Sequence, residues 1–499
     1  MASMDSAVDV LIIGAGPAGL TAALRLQQLG YSVLIVERSA NWPRPQIGEA
    51  LTPGVKNIID MLDANEAMQA VPHLAGLATR LCWRSQQPEI IRHGDAAVVN
   101  RAAFDTALLQ LALQRGINLA MPAQVQEIKG SSHDWQISIK AADGVQQTQA
   151  RFILDASGRS NSPQQHACAP RLSAVWAELS SQHVPAEVFN YTQVEALEHG
   201  WLWGTRLPDQ RYRIMLLSDP HTAHQQMPGQ AEQWLRSHCA SSQLFSAVAQ
   251  TPYASRLQAC SALPYLSLDS WQDGRLKLGD AAFALDPISS SGVEKAMRFS
   301  LQAVVAIHTI LSTANNQTNE QRHDLARNFF EQRLTETCAR HSYWTEAYYA
   351  QAWCKDSAFW QERSGKNNAF ATEAASAHSL LQSLREQGRQ LRDYQPAELR
   401  PLVSFNPHQP LRMHPATSRV TSYCVVDDKV EKQLALSHPN LERPVSFLEN
   451  QALLPHLDFL WQPQPLVSVL KTLGTVMSTQ NAHKITAWLW QCGLLEHVV

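Results

Sequence analysis

The chain lacks an excess of either charge: 41 Lys and Arg stand against 44 Asp and Glu in 499 residues, a formal net charge of −3. That balance removes any global electrostatic case for nucleic acid or an anionic membrane surface as partner. It also lacks any apolar run near the roughly 18 residues that a membrane helix needs, so no membrane partner is expected. Its eight cysteines (Cys82, Cys168, Cys239, Cys260, Cys338, Cys354, Cys424 and Cys492) are scattered and form no C-x-x-C pair. Neither a zinc module nor a disulfide framework is written there; no metal site is expected, and a reducing, cytoplasmic compartment fits. Residues 1–7 carry no Lys or Arg, and the run Val10 to Ile13 leads into glycines rather than a cleavage site, so no signal peptide is expected. Internal repeats and low-complexity tracts are missing too. With 45% hydrophobic residues the chain can bury a large core, room for roughly two to four domains.

What is present begins with Asp9-Val10-Leu11-Ile12-Ile13, then Gly14-Ala15-Gly16-Pro17-Ala18-Gly19, a helix-forming stretch from Leu20 to Leu29, and Ser32-Val33-Leu34-Ile35-Val36-Glu37. This reads as strand, tight turn, helix, strand, with Gly30 where a helix ends. The G-x-G-x-x-G spacing follows a strand, opens a helix and precedes an acidic residue by about twenty positions, the context of a dinucleotide site. Gly14 allows the turn, Gly16 lets backbone amides approach a pyrophosphate, Gly19 permits close packing, and Glu37 is expected to accept ribose hydroxyls. Trp135-Gln136-Ile137-Ser138-Ile139 alternates with period two before Asp143-Gly144, which predicts an antiparallel hairpin. A second β-rich stretch spans Trp201 to Asp219, and Val293 to about Arg392 is mostly helical. Prolines cluster from Pro396 to Pro415 and read as a linker. Beyond them, Leu466/Val469/Leu470/Leu473 and Ile485/Trp488/Leu489/Cys492 follow i, i+3, i+4, i+7, predicting two short helices, with Ser478 as N-cap and Gly493 as C-cap.

Downstream, Leu276-Lys277-Leu278-Gly279-Asp280-Ala281-Ala282 and Asp286-Pro287-Ile288-Ser289-Ser290-Ser291-Gly292 resemble the second FAD motif of the para-hydroxybenzoate hydroxylase-like flavoproteins. By that resemblance Asp280 binds the ribityl chain, and the loop from Pro287 to Gly292 lies against the isoalloxazine. Asp155-Ala156-Ser157-Gly158 resembles the family's D-x-x-G turn. Arg101 stands where the family has an Asp-Arg pair, with Asn100 as a departure. The cofactor contacts thereby implied are Gly14, Gly16, Ala18, Gly19, Glu37, Arg38, Gly48, Arg101, Gly158, Asp280, Pro287, Ser291 and Gly292, with FAD as the cofactor. The implied fold class is α/β: a Rossmann-type FAD-binding domain (1–74, 94–165, 273–320) and a β-sheet plus helical substrate domain (75–93, 166–272, 321–395). A linker (396–417) and a small C-terminal helical, winged-helix-like domain (418–499) follow.

Within that family the chain is similar to the flavin-dependent halogenase branch, through Ile47-Gly48-Glu49-Ala50, Gly200-Trp201-Leu202-Trp203 and the D-P-x-x-S-x-G loop. Three departures stand out. Halogenases need a lysine on a strand leading to a Trp that matches Trp83, and Leu74 to Thr79 contains none; Lys56 is the only lysine between residues 45 and 128. Ser289 replaces the glutamate that tryptophan halogenases place after the loop proline. The W-x-W-x-I-P signature is stretched to Trp201-Leu202-Trp203-Gly204-Thr205-Arg206-Leu207-Pro208. Oxygen delivery to an electron-rich ring from a flavin C4a-hydroperoxide is what remains. The helical insert (Tyr343, Trp344, Tyr348, Tyr349, Trp353, Phe359, Trp360) and C-terminal module resemble the flavoproteins that mature cysteine tryptophylquinone enzymes, the quinohemoprotein amine dehydrogenase type above all. That resemblance implies hydroxylation of a tryptophan in a partner polypeptide.

Catalytic candidates are Glu49, against the flavin or else a solvated carboxylate; His199, a base for an indole N–H or else structural; and Ser289. The aromatic stripe reads as core packing or as a peptide-binding wall, and the C-terminal helices as a recognition module or a cap. A second nicotinamide-binding G-x-G-x-x-G is missing, so O2 and reduced flavin from an external reductase are the expected co-reactants. Rival readings are a halogenase of an indole, pyrrole or phenol, a non-catalytic FAD-containing escort, and an isoprenoid double-bond reductase.

Overall fold

The computed structural model describes residues 7–42, 47–92, 94, 96–159, 164–226, 229–312, 319–364, 378–394 and 398–498. Two compact units emerge, Met1–Ile307 with Phe330–Arg385, and His308–Phe329 with Glu386–Val499.

In the first unit a sheet runs in the order Trp271–Gln272, Arg275–Lys277, Gly144–Asp155, Val8–Ile13, Val33–Val36, Asn118–Ala120. Val8–Ile13 pairs in parallel with strands on both sides, and Val10, Leu11 and Ile12 are fully buried, which is why this strand reads as an unbroken apolar run. The expected hairpin is Asp134–Ala141 paired with Gly144–Asp155, its inward residues Trp135, Ile137 and Ile139 alternating with polar ones. Helix Pro17–Gln28 springs from the Gly-rich turn, and Gly30 follows it with φ +85°, a left-handed exit that glycine adopts without a side-chain clash.

The second sheet of this unit runs Gln258–Ser261, Ser173–Ser180, Arg211–Ser218, Gly200–Arg206, Thr192–Leu197, Ala78–Cys82, Glu89–Arg92. One face packs Leu202, Ile214 and Leu216 against Trp234 and Leu235 of helix Ala231–Ser241. The expected helical region contains Gly292–Leu311, Asn319–Tyr349, Ala358–Arg363 and Ser379–Asp393. Both sheets belong to one compact unit.

The second unit differs from expectation at its boundary and in its composition. Pro396 and Ala397 lie outside the described residues, but the described remainder of the expected linker, 398–417, is structured. Leu411–Met413 pairs with Leu495–His497, and Arg400 Nη1 donates to the Leu495 carbonyl at 2.9 Å. Proline there marks the ends of short strands rather than free chain, because Leu411 and Met413 have a core to enter. The helices Leu466–Leu473 and Thr479–Gln491 form as expected, with Ser478 Oγ accepting from Asn481 N at 3.2 Å, but a hairpin of Ser418–Val426 with Lys429–Ser437 accompanies them. Among the described residues no helix is long and apolar enough to cross a membrane.

Candidate active site

A cavity of about 490 Å³ lies in the first unit, lined by the Gly-rich turn, the 47–50 segment, the Ala156–Arg159 turn, the Leu278–Asp280 and Leu285–Val293 segments, and the second sheet. Its volume is in the range of cofactor and ligand sites. Of the sequence candidates, Gly16, Ala18, Arg38, Gly48, Glu49, Arg101, Gly158, Asp280, Pro287 and Gly292 line it.

The turn after Val8–Ile13 is built for close backbone approach. A Cβ on Gly14, where φ is +104°, would lie 2.5 Å from the Ala156 carbonyl oxygen, and one on Gly19 would strike the Gly14 carbonyl. The first i→i−4 bond of the following helix is Leu20 N to Gly16 O, so the amides of Ala18 and Gly19 point out of the helix start, where an anion is favoured. Glu37 is buried, accepting from Ala15 N and Ser39 N at 2.8 Å each; it braces the turn from behind and is not itself a lining residue.

Arg101 is buried and clamps the next segment: it holds Asp105 with two nitrogens and donates through Nη1 to the Ile47 and Gly48 carbonyls at 3.0 and 3.3 Å. Asn100 caps that helix, its Oδ1 accepting from Ala103 N at 3.0 Å, a duty Asn performs as well as Asp. Asp280 lies at the far end, paired with Arg159 Nε at 3.2 Å. A Cβ on Gly279 would come 2.9 Å from the Ala18 side chain, so the two FAD motifs are packed against each other. These glycine contacts and outward amides fit a bound dinucleotide.

Asp286 closes its own turn by accepting from Ile288 N at 3.0 Å, and Ser290 sits in the left-handed region with φ +51°. Ser289 and Ser291 share a hydroxyl contact of 2.7 Å, and neither lines the cavity; Ser289 shapes the loop from within. Helix Gly292–Leu311 then begins at the cavity wall, with Gly292, Val293 and Ala296 in the lining. Asp286 is buried, and that burial pushes its carboxyl up to about 6, against the pull of the Ile288 amide and the Tyr349 hydroxyl. Burial likewise pushes the His341 imidazole, whose Nε2 lies 3.1 Å from the Asp286 carbonyl oxygen, down to about 4.

The second sheet presents three cross-strand rows to this side. Ala196, Trp201, Leu217, Ala174 and Cys260 are in register, as are Leu81, Val194, Trp203, Met215, Trp176 and Gln258. The third row is polar: Thr79, Thr192, Thr205, Arg213 and Glu178. Arg213 is its one cation, and its two outer nitrogens hold Glu178 and Glu49. Glu49 is therefore a buried, ion-paired carboxylate, not a solvated one; its burial pushes the carboxyl above the usual range despite Arg213 and Arg101. Thr79, with a hydroxyl and no amine, occupies the row position on the strand that leads to Trp83.

His199 is corrected out of the site. It occupies the tight turn between Thr192–Leu197 and Gly200–Arg206 and does not line the cavity. Most of the aromatic stripe is core: Trp83 stacks on Tyr348 with centroids 4.7 Å apart and meets Trp360 edge-on at 5.2 Å, whereas Trp344 is 63% exposed. Sequence reasoning missed Arg213, Asp286 and Tyr349 as site residues; only the pairing of the strands and the packing of the long helix show them.

The FAD dependent oxidoreductase family matches residues 9–162. The tryptophan 2-halogenase of Chondromyces crocatus is 27% identical over 329 residues, a match spanning 62% of this chain and 62% of the relative's length. Two solved structures share the fold along nearly the whole chain. The flavin-dependent halogenase CmlS has a TM-score of 0.73 at 20% identity, covering 99% of this chain and 98% of its own. The peptidyl tryptophan dihydroxylase QhpG, essential for tryptophylquinone cofactor biogenesis, has a TM-score of 0.71 at 21% identity, covering 98% and 100%.

Proposed function

We propose that the chain is an FAD-dependent flavoprotein enzyme of the halogenase-like branch and that it hydroxylates an aromatic ring, the target being a tryptophan side chain of a partner polypeptide in tryptophylquinone biogenesis. The observation that carries this reading is the polar row of the second sheet. Thr79 is that row's residue on the strand leading to Trp83, its one cation, Arg213, is a guanidinium occupied by two carboxylates, and no lysine is among the residues lining the cavity, so no free amine is there to capture a hypohalous acid.

When bound and reduced, FAD supplies electrons and activated oxygen from O2. The chain's own residues do the rest. Outward amides at Ala18 and Gly19 hold the pyrophosphate, Arg101 fixes the Gly48 segment, and the start of helix Gly292–Leu311 offers partial positive charge to the reduced ring. Trp201, Trp203, Met215 and Leu217 form an apolar wall that orients an indole and excludes water, the main demands when the substrate ring is already a nucleophile. Reducing equivalents come from an external reductase, and the 418–499 region serves partner recognition.

Intact-mass and fragment mass spectrometry tests the reading, with free tryptophan and a tryptophan-containing partner peptide incubated with the protein, reduced FAD and O2, with and without bromide. Gain of one or two oxygens on the peptide tryptophan, indifferent to bromide, is the expected result. A bromine mass on either substrate establishes the halogenase reading instead.

A further inference from the structure

The second sheet has two edges, and they are not alike. Glu89–Arg92 ends one side with a charge at each terminus, a device that discourages addition of a further strand. Gln258–Ser261 ends the other side with no charged residue, and Gln258, Ala259 and Ser261 are exposed. Among the described residues no strand pairs with its outer side.

The register says which groups that edge offers. Ala262 N donates to the Leu172 carbonyl at 2.8 Å, which makes Ala262 and Leu172 a hydrogen-bonded pair. Such pairs recur every second residue in an antiparallel ladder, so Cys260 with Ala174 and Gln258 with Trp176 are the next two. Ala259 and Ser261, opposite Val175 and Ser173, therefore direct their N–H and C=O groups away from the sheet. The free edge is also continuous with the cavity: Cys260, Ser261 and Ala262 line it. Cys260 begins the row that runs through Ala174 and Leu217 to Trp201.

We infer that Gln258–Ser261 is the docking strand for the polypeptide substrate, which adds to the sheet in extended form and pairs with the outward backbone groups of Ala259 and Ser261. This rests on the proposed action on a tryptophan within a polypeptide. An added strand lies about 4.8 Å beyond Gln258–Ser261, and its alternate side chains continue the cavity-facing rows. A tryptophan in register with Cys260 is thus presented at the cavity mouth, while its neighbours point to the opposite face. Recognition through the main chain selects an extended segment with an aromatic residue at one position and tolerates varied residues elsewhere.

The test uses the flavin-loaded protein and a fluorescein-labelled peptide with one central tryptophan flanked by alternating valine and threonine. The peptide is N-methylated at one backbone nitrogen at a time. Binding is expected to weaken about tenfold at every second position and to be unchanged at the positions between. On the protein side, Ala259→Pro removes one outward donor without touching the ladder to Ser173–Ser180. It is expected to weaken the peptide about tenfold while flavin content stays as in the parent protein. A uniform response to N-methylation, or no binding of the peptide, overturns the docking strand. Oxidation of the peptide without period-two sensitivity overturns docking and leaves the hydroxylation reading intact. Period-two binding without oxidation of the tryptophan does the reverse.

Discussion

Tyr349 donates its phenolic hydrogen to Asp286 Oδ1 at 2.8 Å, tying the end of helix Asn319–Tyr349 to the turn that precedes helix Gly292–Leu311. Both residues are almost wholly buried, and Asp286 borders the main cavity and a second, water-sized cavity beside His341 and Arg363. The bond joins the loop expected to face the flavin to the aromatic cluster of Trp83 and Trp360.

Because burial raises the Asp286 carboxyl from 3.8 to about 6, the folded protein favours its neutral form. That contribution is whole below about pH 4 and is lost as pH rises through about 6, a change of about 3 kcal/mol. Asp286→Asn keeps a neutral acceptor, so the stability of the parent relative to the variant should fall by that amount between about pH 4 and pH 7 in urea unfolding. Parallel stability curves for the two proteins would count against a buried, perturbed Asp286.

Gly19→Ala places a methyl group against the Gly14 carbonyl and spreads the turn that faces the pyrophosphate. FAD affinity should drop at least tenfold, on the order of 1.4 kcal/mol or more. The readout is flavin absorbance retained after desalting; full retention would mean that the turn does not hold the cofactor.

Glu49→Gln leaves Arg213 buried with one of its two carboxylate partners neutralised. Loss of a buried partner costs about 3 kcal/mol, and Glu49→Gln with Arg213→Met together should recover part of it. Chemical denaturation of the three proteins checks this, and a single variant as stable as the parent contradicts the coupling.

His199→Ala, at a hairpin turn outside the cavity lining, should leave turnover of a tryptophan peptide within about twofold of the parent, whereas loss of a general base typically costs a hundredfold or more. Steady-state oxidation rates decide between them.

Much of this was legible in the sequence because it depends on neighbours along the chain. The strand–turn–helix of residues 8–28, the Asp134–Asp155 hairpin, the N-cap at Ser478 and the left-handed exit at Gly30 follow from local periodicity and backbone sterics. The missing lysine before Trp83 is likewise a fact of sequence alone. What tertiary structure decided are relationships between residues far apart: Glu49 with Arg213, 164 positions away, Tyr349 with Asp286, 63 away, and Leu411–Met413 with Leu495–His497. A carboxylate's environment is set by which strands pair and which helix covers them, so Glu49 stays open between a flavin-side and a solvated group until the structure places the Arg213 guanidinium beside it. Proline in 401–415 reads as linker until the strand partner 84 residues downstream supplies its hydrogen bonds. The free edge at Ala259 and Ser261 belongs to the same class, because only the ladder's register says which backbone groups a strand keeps and which it offers.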